Sequence, residues 1–298
     1  MLHLAMIVMP CLIVSGLIAS WFVAGSLVAP SPLVLDAPPA ELNSTSFTID
    51  SDSGSRISGW HNHPSPDPTR AARGVIVLLH GIRGSRMTML GRARLLHQCG
   101  YSTVMIDFQA HGESPGEAIT IGHLERHDVR AAVEYARREH PGEPIGVLGV
   151  SLGGAAAVLA SPLNIDALVL ESVYPDINSA VRNRVAGKWG LLASIPTSIL
   201  IAQLQPRLGI SPDQLRPIDH VPNVGCPVFL VSGRADQHTT ATETLAMFAA
   251  AADPKQLWLI EDAAHVDLLT IDPGSYREQV VVFFDRYLGR TTAKSNEH

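Results

Sequence analysis

The feature that most narrows the fold is a rhythm of short apolar runs separated by helix-length segments. Gly74–Leu79 (GVIVLL), Thr103–Ile106, Ile145–Val150, Ile165–Leu170, Val228–Val231 and Leu257–Ile260 are continuous rather than alternating runs, as strands covered on both faces require. Between them lie segments with helical spacing. Met87–Gln98 places Leu90, Leu95 and Leu96 on one side, and His123–His140 is charged, amphipathic and closed by Pro141-Gly142. Leu152–Ala160 is built of small residues, and Ala241–Ala251 and Tyr276–Tyr287 follow later. This alternation predicts an α/β fold: a mainly parallel, twisted sheet with helices on both faces. Thr45–Ile49 and Arg56–Trp60 alternate about a Ser/Gly turn and predict an antiparallel pair ahead of that sheet.

Open sheets of this kind bind ligands at the carboxyl ends of their strands, and the chemically capable residues fall there. Gly149-Val150-Ser151-Leu152-Gly153 joins a buried run to an Ala/Gly-rich helix. A serine at so sharp a turn has its hydroxyl exposed above the sheet. His80-Gly81-Ile82 closes the first buried run. Acyl transfer needs two backbone N–H donors aimed at a developing oxyanion, and Leu152 and Ile82 stand where those donors belong. His80 reads as a structural residue of its turn. Asp236 follows Val228–Val231 and His265 follows Leu257–Ile260, so an acid is placed to hold an imidazole in one tautomer, and the order Ser, Asp, His suits this architecture. Glu171, ending Ile165–Leu170, is the competing acid; Asp262 and Asp267 share the loop of His265 and are poorer orienters. Arg83 and Arg86 read as solvated surface charge. So do His61 and His63, in a proline-rich loop spanning His61–Arg70; as a metal pair they lack a third ligand.

The N-terminus imposes a second constraint. Leu4–Ala29 carries no charged residue and is broken only by Pro10, and about 20 apolar residues suffice to cross a bilayer. Residues 1–29 are therefore read as a transmembrane anchor, with a cleaved signal segment as the alternative, since Ala24 and Ser26 could precede a cleavage site. Residues 30–41 hold four prolines and read as a linker or stalk. The folded domain is expected over 42–288, with an insertion at about 172–226, and 289–298 as a flexible tail. The expected location is a single-pass membrane protein with its bulk outside the cytoplasm. A net charge of −6 excludes a nucleic-acid partner, which needs a basic face. The three cysteines form neither a disulfide framework nor a metal motif.

The segments LLHGIRGS (Leu78–Ser85), DFQAHGES (Asp107–Ser114), GVSLGG (Gly149–Gly154), VSGRAD (Val231–Asp236) and AAH (Ala263–His265) together resemble the α/β-hydrolase superfamily. Within it the chain is similar to the lysophospholipase-like and serine-aminopeptidase-like hydrolases, including single-pass anchored ones. The resemblance implies Ser151 as nucleophile, His265 as general base, Asp236 as its orienter, and Ile82 and Leu152 as oxyanion donors. Asp107 and His111 match a stretch with a structural role. Phe108-Gln109-Ala110 and His238-Thr239 depart from the usual pattern, in loop packing rather than in chemistry. The activity so implied is hydrolysis of a small-molecule or lipid carboxylic ester, or a thioester, through an acyl-enzyme, with no metal and no cofactor. The alternatives are a small aminopeptidase or amidase on the same residues, and a non-catalytic anchored binding protein. Ile177–Lys188 and the apolar Leu191–Gln205 predict a helical cap lining an acyl pocket. The latter segment has two other readings, a helix buried on the sheet or one dipping into the membrane.

Overall fold

The computed structural model describes residues 2–64 and 73–289. The tail expected over 289–298, apart from Gly289, and part of the loop His61–Arg70 lie outside the described residues. In chain order the elements are α1 (Leu2–Val28), β1 (Ser31–Pro32), β2 (Ser44–Asp50), β3 (Arg56–Asn62), β4 (Val75–Leu79), α2 (Leu90–Gln98), β5 (Ser102–Ile106), β6 (His111–Gly112), α3 (Glu125–Glu139) and β7 (Ile145–Val150). Then come α4 (Leu152–Ala160), β8 (Ala167–Glu171), α5 (Ile177–Trp189), α6 (Ser194–Ala202), α7 (Leu204–Leu208), α8 (Pro217–His220), β9 (Val228–Gly233), α9 (Ala241–Ala250) and β10 (Lys255–Ile260). Three short helices close the chain: α10 (Leu268–Ile271), α11 (Pro273–Tyr276) and α12 (Val282–Leu288).

The main sheet has eight strands in the order β10-β9-β8-β7-β4-β5-β3-β2. Every pairing is parallel except β2 with β3 and β3 with β5, so the fold is that of an α/β hydrolase. The continuous apolar runs are explained by two-sided burial. Val75, Val77 and Leu79 of β4 pack with Val129, Ala132 and Ala155 on one side. Ile76 and Leu78 pack with Leu96, Phe284 and Leu288 on the other. The chain passes from β4 to β5 on one flank and then to β7 on the other. This reversal opens a crevice at the carboxyl ends of β4 and β7, where ligands of such sheets bind.

Two segments differ from the sequence reading. The proline-rich stretch is not a free stalk. Ser31 N–H donates to Ala110 O at 2.8 Å and Leu33 N–H to Gly112 O at 2.9 Å, laying β1 beside β6. His61 is not a surface residue: it extends β3, where it is buried with its Nε2 2.9 Å from Nε2 of His140. Burial, then the neighbouring His63 and His140, push the His61 pKa down to about 3. The unfolded chain therefore takes up a proton near pH 6.5 that the folded chain refuses until about pH 3, and stability falls as pH drops through that window. In detergent, the urea midpoint of the full chain should fall by a few kcal/mol equivalent between pH 6.5 and 4. The loss should be visibly smaller in His61→Phe, and parallel curves would assign it elsewhere.

Candidate active site

Ser151 sits where β7 turns into α4, at φ 49° and ψ −109°. A non-glycine residue is rarely held in this region, at a cost of about 1–3 kcal/mol. The surrounding glycines make the turn possible. A Cβ at Gly149 would lie 2.5 Å from the backbone nitrogen of Gly154, and one at Gly153 would collide with the carbonyls of Leu79 and His80. The N-terminus of α4 is thereby pressed against the end of β4. Leu152 N–H, at the first helical position, has no intrahelical acceptor.

The loop after β4 is fixed by His80. Its ring is buried; Nε2 accepts from Phe108 N–H at 3.1 Å, and Nδ1–H donates to Gly81 O at 2.7 Å. Burial pushes its pKa down to about 3, so it is neutral and locked in one tautomer, the structural part expected of it. Arg86, in contrast, is not surface charge. It is buried against Asp107 and Glu113, with its guanidinium carbon 4.6 Å from the Trp60 ring centroid. Asp107 also accepts from the backbone N–H groups of Arg86 (2.6 Å) and Glu113 (2.9 Å) and so braces the same loop. Arg83 is exposed, and it donates to the carbonyl of Ser26 in α1.

Asp236 follows β9 and His265 follows β10. His265 Nδ1–H donates to Asp236 Oδ2 at 2.7 Å. The other oxygen accepts from the N–H groups of His238 (2.8 Å) and Thr239 (2.9 Å). Burial works to raise the Asp236 pKa, but the hydrogen bonds from His265 and Thr239 outweigh it and hold the carboxyl below its ordinary value. Ala235 N–H donates to Ala263 O at 3.0 Å, pinning the acid loop to the histidine loop. With Nδ1 committed, Nε2 of His265 is left as the acceptor nitrogen.

Ser151, His265, Ile82, Arg92 and Arg184 line one cavity of about 470 Å³. Leu152 does not line it; its side chain packs with Ala110 and Ile119. Among the described residues of the insertion, only Ser172 and Arg184 reach the cavity. Of the apolar stretch Leu191–Gln205, expected to line an acyl pocket, no described side chain lines this cavity. Arg184, which sequence reasoning passed over, donates to its own helix at Ala180 O (2.9 Å) and has no carboxylate partner among the described residues. Only its i, i+7 distance from Ile177 on α5 could have signalled an inward face. No cluster of three His, Cys, Asp or Glu able to hold a metal occurs among the described residues.

Glu171 is engaged elsewhere. It accepts from Arg92 Nε (2.9 Å), Arg92 Nη2 (2.5 Å) and the Tyr276 hydroxyl, all buried. Arg92 Nη2 also lies 2.8 Å from Asp267 Oδ1, which occupies Asp267 and ties the histidine loop to α2. Breaking a buried pair by neutralising one member costs about 3–5 kcal/mol. Glu171→Gln should therefore lower Tm by roughly 10 °C while the folded fraction keeps its activity within about ten-fold. A melt unchanged with activity lost would reassign Glu171 to the chemistry.

Comparison with known proteins agrees with this architecture. Residues 70–216 match the family described as "Serine aminopeptidase, S33". That stretch includes Ile82 and Ser151 and stops short of Asp236 and His265. An uncharacterized Bacillus subtilis protein, YqkD, is 23% identical over 82% of this chain and 80% of its own length. The uncharacterized Rv2307c of Mycobacterium tuberculosis is 27% identical over 75% and 73%. Among solved structures, the Pyrococcus furiosus esterase Pf2001 superposes with a TM-score of 0.71 at 23% identity, over 88% of this chain and 99% of that one. A Xanthomonas campestris serine hydrolase described as lacking a lid, XC6422, gives 0.58 at 19%, over 86% and 100%.

Proposed function

Starting from a hydrolase with the α/β-hydrolase fold, we propose that this chain cleaves carboxylic esters through Ser151, His265 and Asp236. The observation that carries the reading is the meeting of Ser151, on its strained turn, and His265, bonded to Asp236, in one cavity. His265 Nε2 takes the Ser151 proton as Oγ attacks the carbonyl carbon, and the N–H groups of Ile82 and Leu152 receive the oxyanion. Such a donor is worth roughly 3–4 kcal/mol. His265 then returns the proton to the leaving alcohol, and water, activated by the same imidazole, releases the acid.

The charge of the cavity favours an ester over an aminopeptidase substrate. Arg184 is the lining cation with no carboxylate within ion-pair distance among the described residues, whereas Arg92 is already paired with Glu171 and Asp267. A protonated α-amine would meet Arg184, whereas an ester bearing an anionic group would find a partner in it. The test is a panel of umbelliferyl acetate, umbelliferyl hemisuccinate and aminoacyl amides. The hemisuccinate should be preferred, Arg184→Gln should cut that preference about ten-fold, the value of one charge-assisted hydrogen bond, and the amides should be the poorest. Fastest turnover on the amides would favour the aminopeptidase.

The reading extends to location. α1 is long and apolar enough to cross a membrane, and we assign it as a single-pass anchor. No Lys or Arg lies between α1 and Arg56, so that stretch carries no positive charge to retain the body on the cytoplasmic side, which supports a catalytic domain outside.

A further inference from the structure

The helix α6 has the sequence SIPTSILIA, and Thr197 is the only side chain on it that is buried. Ile201 packs against the core of the sheet and Ile199 and Leu200 are half-buried, whereas the face that carries Ile195 is left uncovered. The turn leading into it exposes Trp189 (57%) and Leu192 (65%), and α6 itself exposes Ile195 (64%). Apolar side chains left exposed to water are costly, at about 25 cal/mol per Å² of apolar surface.

What lies beside α6 indicates its cover. Gln203 Nε2 donates to Ser20 Oγ of α1 at 2.7 Å. Arg207 Nη2 donates to Trp21 O at 2.5 Å, with its guanidinium carbon 4.0 Å from the Trp21 ring centroid. A Cβ on Gly25 would meet Arg207. Residues 203 to 207 thus follow 20 to 25 along α1, and α6, which precedes them and contacts α1, lies beside the apolar turns before Ser20. Trp and Arg are residues of the membrane–water interface. From Trp21 back to Leu2 the helix rises about 30 Å, the thickness of the hydrocarbon layer. Beyond Trp21, α1 is bonded to the site loops: Ser26 O accepts from Arg83, and Val28 O from Ile119 N–H at 2.8 Å. α5, which leads to the exposed turn, ends in Lys188 beside Trp189, a charge suited to anionic head groups.

We propose that α6 and the turn before it insert into the bilayer that α1 crosses, forming a second membrane contact that holds the cavity at head-group level and lets an ester enter from the lipid. This rests on the ester-hydrolase reading only for the last step; the contact itself is independent of it.

The test uses the full chain in vesicles of phosphatidylcholine and phosphatidylglycerol whose acyl chains are brominated near the head group. In a Trp21→Phe background the remaining tryptophans are Trp60, buried, Trp189, and Trp258 on the far edge strand. Bromolipid should quench this emission, and the further change Trp189→Phe should remove the quenching. Equal quenching with and without Trp189 overturns the proposal. In a second arm, Leu192→Asp with Ile195→Asp should raise the apparent KM for umbelliferyl oleate held in vesicles at least ten-fold and leave umbelliferyl acetate in water unchanged. Equal loss on both substrates, or on neither, contradicts the contact. Absence of Ser151-dependent hydrolysis in the parent, with Trp189 still quenched, would instead sink the ester-hydrolase reading alone.

Discussion

Replacing Ser151 with alanine is expected to lower kcat on a soluble ester by about 10⁶-fold, because the members of such a constellation act as a unit and loss of the nucleophile forfeits nearly all of its effect. The fold should survive. Ser151 Oγ makes no hydrogen bond to another described group, and the turn is imposed by the packing of Gly149 and Gly153 rather than by the hydroxyl. Tm should stay within about 2 °C, which for a domain of this size is under about 1 kcal/mol. A fall in rate smaller than about 100-fold, on a protein that melts normally, would mean that the oxyanion donors or another group carry the reaction.

The second large effect is that of Asp236→Asn, expected to reduce kcat by about 10⁴-fold. The carboxylate accepts from His265 Nδ1–H and so leaves Nε2 as the base. An amide offers N–H at one of its two positions, and where that N–H faces the ring it demands the opposite tautomer, with a proton on Nε2 and no base toward Ser151. The two backbone donors on Oδ1, His238 and Thr239, would orient the amide oxygen toward themselves and turn the NH₂ to His265. Because the Asp236 carboxyl is held below its ordinary pKa, its contribution persists through the neutral range and is lost only as pH falls through that lowered value. Glu171→Gln gives the contrasting result, a loss of stability rather than of rate. The pair of variants thus separates the two acids that both end strands.

Why those acids could be ranked from sequence, and why other features could not, follows from distance along the chain. That Ser151, Asp236 and His265 would come together was legible because each stands just past an apolar run, and strand ends of a parallel sheet converge on one edge. Ile145–Val150 and Leu152–Ala160 appear with the bounds the sequence implies, since periodicity and a glycine-framed turn are local signals. The partners of Arg86 were not legible: Asp107 and Glu113 lie on another loop, and only the three-dimensional meeting shows that a charged residue is buried there. His61 was misplaced for a related reason. Its proline-rich surroundings imply a loop, but β3 continues through it by pairing with β5, and tertiary pairing overrides local composition. The apolar Leu191–Gln205 gave a helix but not its neighbour. Hydrophobicity alone does not distinguish a pocket wall, a core helix and a membrane contact; the exposure of Trp189, Leu192 and Ile195 beside α1 is visible only in three dimensions.

The most direct test of the account is intact-mass labelling of the full chain with a fluorophosphonate, wild type beside Ser151→Ala. The account predicts a single adduct on the wild type and none on the variant. An adduct that persists on Ser151→Ala, or none on a folded wild type that hydrolyses esters, would contradict Ser151 as the nucleophile.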